Sequence, residues 1–240
     1  MNLNSEVFVQ TEIGGKVYKS VTKFPQGIEW FERVSNIGMK KEFAVYEDFV
    51  YGVKVSTDDL YKCKINVKLA EREKEGRCQK VSIGSFKVKE VDIEEKSKII
   101  RVLGTDRKMK EGKINGANIA WEDMSGDFEC ANGLRSYQSD KAFCIKNGQV
   151  QSSPIGFLSE TREMEFVKNL SNEKMAGLYG NKIYKYNENS GRWYLWYQEE
   201  NDKQTIVDFA GYNKEVIAIV KENGNEVTTL LKTVKGNVLE

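Results

Sequence analysis

Histidine is absent from the 240 residues of this chain. That absence excludes imidazole acid–base catalysis, Ser-His-Asp and Cys-His nucleophile systems, and His-ligated zinc. Proline is scarce: Pro25 and Pro154 are the only two, which excludes stiff Pro-rich spacers. No apolar run approaches the roughly 18 residues of a bilayer-spanning helix, so membrane insertion is not expected. Met1-Asn2-Leu3-Asn4 leads into a strand pattern without the basic and apolar stretches of a signal peptide. A soluble protein, cytoplasmic or virion-associated, is the expectation. An excess of one charge is missing too, with 37 basic against 36 acidic residues and a net charge of +1. The signs alternate along the chain, and no basic block marks a nucleic-acid footprint. Segments such as Arg72-Glu73-Lys74-Glu75 and Lys87-Val88-Lys89-Glu90 read as solvated strand faces and turns.

Cys63, Cys78, Cys130 and Cys144 show no Cys-x-x-Cys spacing, and read as reduced, partly buried thiols. The glycines form neither a dinucleotide fingerprint nor a P-loop. The acidic turn Ser56-Thr57-Asp58-Asp59 lacks EF-hand spacing and reads as a polar turn. No cofactor and no metal is expected.

What is present is strand chemistry. Hydrophobic residues make up 40% of the chain, enough for a sizeable core. Alternation is the dominant period: Tyr61, Cys63, Ile65, Val67 and Leu69 fall on one side of a long strand, with lysines and Asn66 on the other. Shorter alternating pieces surround Val45, Val53, Val81 and Val91. Asn115-Gly116, Asn132-Gly133, Asn147-Gly148, Asn223-Gly224 and Gly14-Gly15 read as tight hairpin turns, because Asn and Gly accept the positive φ of type I′. Glu160 to Leu170 is the best helical stretch, with Ser159 as its N-cap, although a strand reading is open there.

One pattern recurs: an apolar run, a tight turn, then a strand often reading aromatic-x-Lys. Its copies begin at Val7, Val50, Ile99, Ala142, Met175 and Val216, about 40 residues apart, which is the length of a four-stranded propeller blade. The expected fold is therefore all-β: a single-domain antiparallel repeat over residues 1–240 with about six units, a six-bladed β-propeller, with a barrel or sandwich as the alternative.

Lys16-Val17-Tyr18-Lys19, Trp30 with Val34 and Ile37-Gly38, then Val50-Tyr51-Gly52-Val53 and Leu60-Tyr61-Lys62, resemble the blade of tachylectin- and tectonin-type lectin propellers. A partial echo lies at Gly177 to Lys185 with Trp193, whereas Arg77-Cys78 stands where the pattern would place a tryptophan. The resemblance implies a propeller and, beyond it, carbohydrate recognition.

The most distinctive local feature is Trp193-Tyr194-Leu195-Trp196-Tyr197. Strict alternation would turn Trp193, Leu195 and Tyr197 one way and Tyr194 and Trp196 the other. Rigid amphipathic rings suit sugar stacking and protein hot spots, but rings between packed sheets are the structural reading of the same residues. Candidate ligand-binding residues are Trp30, Trp121, Trp193, Tyr194 and Trp196. Glu122-Asp123 and Glu199-Glu200 could serve glycoside hydrolysis only with a carboxylate from elsewhere, because neighbours on a strand point apart. The expected function is non-enzymatic recognition of a glycan or partner protein, with homo-oligomerisation possible. A structural component of a viral or phage particle, of tail or baseplate type, is the alternative, and a carboxylate-dependent glycosidase on a propeller the second alternative.

Overall fold

The computed structural model describes residues 8–11, 14–20, 31–65, 78–116, 118–124, 130–137, 141–153, 163–170, 174–187, 189–212, 215–222 and 229–235. Among these residues there is no helix, and the strands form six sheets, each an antiparallel meander in chain order. The first sheet holds β1 (Phe8–Gln10), β2 (Val17–Ser20) and β3 (Phe31–Arg33). The second holds β4 (Met39–Tyr46), β5 (Phe49–Lys54), β6 (Leu60–Lys64) and β7 (Cys78–Lys80). The third holds β8 (Val88–Glu94), β9 (Ile99–Gly104), β10 (Met109–Asn115) and β11 (Asn118–Asp123). The fourth holds β12 (Asn132–Tyr137), β13 (Lys141–Lys146) and β14 (Gln149–Ser153). The fifth holds β15 (Phe166–Leu170), β16 (Lys174–Tyr179), β17 (Lys182–Asn187) and β18 (Arg192–Gln198). The sixth holds β19 (Gln204–Tyr212), β20 (Glu215–Glu222) and β21 (Thr229–Lys235).

Each of the six recurring hairpins lies in a different sheet: β1–β2, β5–β6, β9–β10, β13–β14, β16–β17 and β20–β21. The fold is all-β and of the β-propeller class, with one sheet per repeat. By packing, the chain forms two compact units, Met1–Cys130 with Leu134–Ser139, and Ala131–Gly133 with Asp140–Glu240.

Within each unit the core lies between consecutive sheets. Val17 and Val34 pack on Met39, Val50, Cys63 and Ile65. The opposite face of the second sheet, through Tyr51, Val53 and Leu60, packs on Val91, Ile93, Ile100 and Val102 of the third. The four successive residues Val50 to Val53 of β5 are therefore buried, because neighbouring side chains serve different interfaces. In the other unit Ala176, Leu178, Ile183 and Trp196 pack on Ile206, Phe209, Ala218 and Val220. Phe166 stacks on Phe209 with centroids 5.6 Å apart.

Several expectations are corrected. Phe166 to Leu170 is a strand paired with β16, not a helix end; the register Val167↔Gly177 buries Val167 against the sheet. Residues 154–162 lie outside the described residues, as does the Asn223-Gly224 turn. Asn132-Gly133 is not a hairpin turn but the start of β12, where Gly133 keeps a φ of 68° and a Cβ would come within 3.2 Å of Ile145. The other turns fall where the sequence puts them: Gly14 and Gly15 have φ of 79° and 59°, and Asn147 and Gly148 have φ of 53° and 78°.

The cysteines are not reduced thiols. Cys63 and Cys78 stand opposite each other on β6 and β7, Cα atoms 4.0 Å apart, and form a disulfide. No cysteine is free. Spacing along the chain is blind to this, since the register of two strands joined by a long connection sets which residues face each other. Of the expected strand, Leu60–Lys64 forms β6 and Ile65 follows it in a bend, while Val67 and Leu69 lie outside the described residues.

Candidate functional site

The aromatic strand β18 departs from simple alternation. Ile183 of β17 pairs with Tyr197, but Tyr184 pairs with Leu195, so Trp196 is an extra residue in a bulge. The bulge turns Trp196 into the core beside Ile183 and Phe209, while Trp193 is buried against Tyr186, ring centroids 5.2 Å apart. Tyr194 and Leu195, adjacent in the chain, are both left outward at 40% and 39% exposure. The Tyr194 hydroxyl donates to Ser190 Oγ at 2.9 Å in the preceding turn, which fixes the ring's polar end. Arg192 is exposed at the start of the strand, and Lys185, opposite Tyr194, lays its ammonium 5.2 Å from the Trp196 ring centroid. Tyr197 donates its hydroxyl to the buried carboxylate of Glu199 at 2.7 Å; burial and that carboxylate push its phenol well above the usual range.

The five aromatic candidates are therefore not one surface. Trp30 lies outside the described residues. Trp121, on β11, packs half-buried against the core between the second and third sheets, beside Gly112. Trp193 and Trp196 are core residues at 5% exposure each, and Tyr194 is the candidate whose ring is presented outward. Leu195 is the residue that sequence reasoning missed. Tyr179 is also exposed, at 46%.

The carboxylate pairs lie on different sheets, Glu122-Asp123 on β11 and Glu199-Glu200 just after β18. Asp123 is exposed and held 2.5 Å from Lys110, whose hydrogen bond lowers its carboxyl below the ordinary value, and Glu122 is exposed beside it. Glu199 is consumed by Tyr197 and by the Asn201 amide. The acidic turn is engaged as well: Asp59 lies 2.9 Å from Lys80 and 3.0 Å from Lys87, and Asp58 lies 2.8 Å from Lys40. Among the described residues, no group of three or more acidic or cysteine side chains is placed to hold a metal ion.

A second constellation is buried. Glu90 belongs to a stretch read as solvated, yet it is only 5% exposed, because this face of the third sheet is covered as well. Glu90 Oε2 accepts the Leu134 amide at 2.9 Å, and Asp92 Oδ2 accepts the Ser136 amide at 2.5 Å. Between those amides, Arg135 donates to its neighbour's carbonyl and, at 2.7 Å, to Glu42 Oε2 on β4. Beside Asp92 in the register is Arg101, 1% exposed, whose Nε donates to Glu111 Oε2 at 3.2 Å. Burial pushes the Asp92 carboxyl up to about 6 against the pull of Arg135, and raises Glu90 too.

No family model matches the chain, and no curated protein matches its sequence. Among solved structures, a chain of a nidogen/laminin complex superposes with a TM-score of 0.61 at 11% identity, over 90% of this chain and 88% of that one. Hsv2 of Kluyveromyces lactis gives a TM-score of 0.49 at 10% identity, over 93% of this chain and 72% of that one. Nidogen has a β-propeller, so the first likeness agrees with the sheet order; at such low identity the likeness is one of fold.

Among the described residues no helix is long and apolar enough to cross a membrane.

Proposed function

We propose that this chain is a non-enzymatic recognition module that binds a partner protein, with Tyr194 and Leu195 on β18 as its anchors. The carrying observation is the β18 bulge, which leaves two adjacent large side chains exposed on a strand that, among the described residues, pairs on one side with β17. An aromatic ring with a fixed hydroxyl beside an aliphatic side chain makes a compact anchor of low conformational cost. Arg192 and Lys185 flank it with positive charge, so the partner segment is apolar with a carboxylate nearby. The nidogen/laminin likeness, whose structure is a complex between proteins, is in keeping with a recognition role for this fold. Aromatic faces also stack on sugars, so a glycan is the competing ligand. The Cys63–Cys78 disulfide favours an oxidising setting over the cytoplasm for this role.

The test is selection from a displayed random-peptide library in parallel with a glycan array, each repeated with Tyr194→Ser/Leu195→Ser. Enriched peptides that carry an acidic residue beside apolar ones, and that the double variant no longer retains, support the proposal. Binding to a sugar class alone, or peptide binding indifferent to the double variant, overturns it.

A further inference from the structure

The register of β17 and β18 sets Tyr194 opposite Lys185 and Leu195 opposite Tyr184. These are consecutive pairs ahead of the bulge, so Tyr194 and Leu195 project from opposite faces of the fifth sheet. Inward of them both faces are filled. On the Tyr194 side Ile183 and Trp196 are buried against the sixth sheet, and on the Leu195 side Tyr184 and Trp193 are buried. A ligand lying flat on one face would touch one of the two exposed side chains and miss the other. A chain laid along the outer edge of β18 meets both, since its own side chains alternate between the same two faces.

Among the described residues β18 pairs on one side, with β17, and alternate residues of such a strand turn their N–H and C=O groups outward. The bulge comes after Leu195, so the regular stretch of this edge is Arg192–Leu195. Its two faces differ in chemistry. Arg192, exposed and opposite Asn187, shares the Tyr194 face with Lys185. Within the same stretch the other face carries Trp193 and Leu195, without a charge.

Resting on the recognition reading above, we propose that the partner is an extended peptide segment that adds to the fifth sheet as a strand beside Arg192–Leu195. Acidic residues on its Tyr194 side alternate with apolar residues on its Leu195 side. Main-chain hydrogen bonds supply the attraction, and the alternation supplies the specificity. A second copy of this chain fits the edge poorly. Two positively charged edges would meet, with no acidic residue between Arg192 and Gln198 to answer them.

The experiment selects binders on the full chain from two displayed peptide libraries of equal composition. One alternates acidic and apolar residues, and the other sets the acidic residues at helical spacing. Enrichment from the alternating library is expected, with Arg192→Glu removing the preference for acidic residues. Methylating the backbone amides of an enriched peptide one at a time should weaken binding about fivefold at alternate positions and little between them, because each such position loses one hydrogen bond. Enrichment from neither library, enrichment from the helical one, or equal tolerance of methylation at every position overturns the added strand. The recognition reading survives those outcomes if peptides from a random library still bind in a manner that Tyr194→Ser/Leu195→Ser abolishes, and falls with the strand if they do not. Self-association of the parent protein that Leu195→Ser abolishes would overturn the proposal by giving the edge to a second copy.

Discussion

At the scale of single residues, backbone geometry and charge pairing set sharper limits than residue type does. Gly14 and Gly15 share the first hairpin turn and both have positive φ, but their surroundings differ. Nothing lies within 4 Å of a Cβ built on Gly14, whereas one on Gly15 would lie 2.1 Å from the Met39 carbonyl oxygen. That carbonyl belongs to backbone whose amide donates to Gly15 at 2.9 Å, so neither side can yield easily. Gly14→Ala should cost about 1 kcal/mol, the strain of a positive φ. Gly15→Ala should cost about 2–4 kcal/mol, because a backbone shift is added to that strain. Thermal melts of the two variants check the difference.

Asp59 shows the same point for charge. Its bonds to Lys80 and Lys87 hold its carboxyl down at about 2. A depressed carboxyl contributes stability above its ordinary value that is lost as pH falls from about 4 towards 2. Both lysines are half-exposed, so Asp59→Asn should cost at most about 1 kcal/mol at neutral pH, and less in high salt. Melting curves at low and high ionic strength are the check.

At the scale of elements, the hairpins are the legible part of this sequence. The Asn147-Gly148 and Gly14-Gly15 turns and the six recurring apolar-turn-strand units can be read directly, because φ preference and alternation are local properties. Three things are not legible for a common reason. The Trp196 bulge, the Cys63–Cys78 pairing and the burial of Glu90 all depend on which strand lies opposite or above, and alternation carries no information about that. In β18 a single extra residue reverses the inward and outward assignment of Leu195 and Trp196, so of the three candidates on that strand Trp196 is legible as an aromatic but not as core. The disulfide is the element-scale prediction. β7 is a three-residue strand, and the bond closes a separation of 15 residues onto β6. Loop-closure entropy puts its contribution at about 3 kcal/mol. Cys63→Ala/Cys78→Ala should lower the denaturant midpoint accordingly; a variant as stable as the parent would show that β7 is held by its ladder and core contacts alone.

At the scale of the molecule, meander sheets with apolar cores between neighbours inside each unit, between the first, second and third sheets in one and the fifth and sixth in the other, explain why positions such as Glu90 and Arg101 end up covered. An architecture of rigid sheets leaves recognition to the residues that packing does not consume. On β18 those are Tyr194 and Leu195, next to two tryptophans that packing does consume. Removing the exposed pair should therefore weaken binding without loosening the core, whereas removing Trp196 should cost about 3–5 kcal/mol of stability.

The most direct measurement is the affinity of a selected peptide for the parent protein and for Tyr194→Ser/Leu195→Ser, with melting temperatures taken on the same samples. The account predicts a loss of about thirtyfold or more in affinity, the size expected of a hot-spot pair, with a melting temperature close to the parent's. Unchanged affinity in a folded double variant would contradict it.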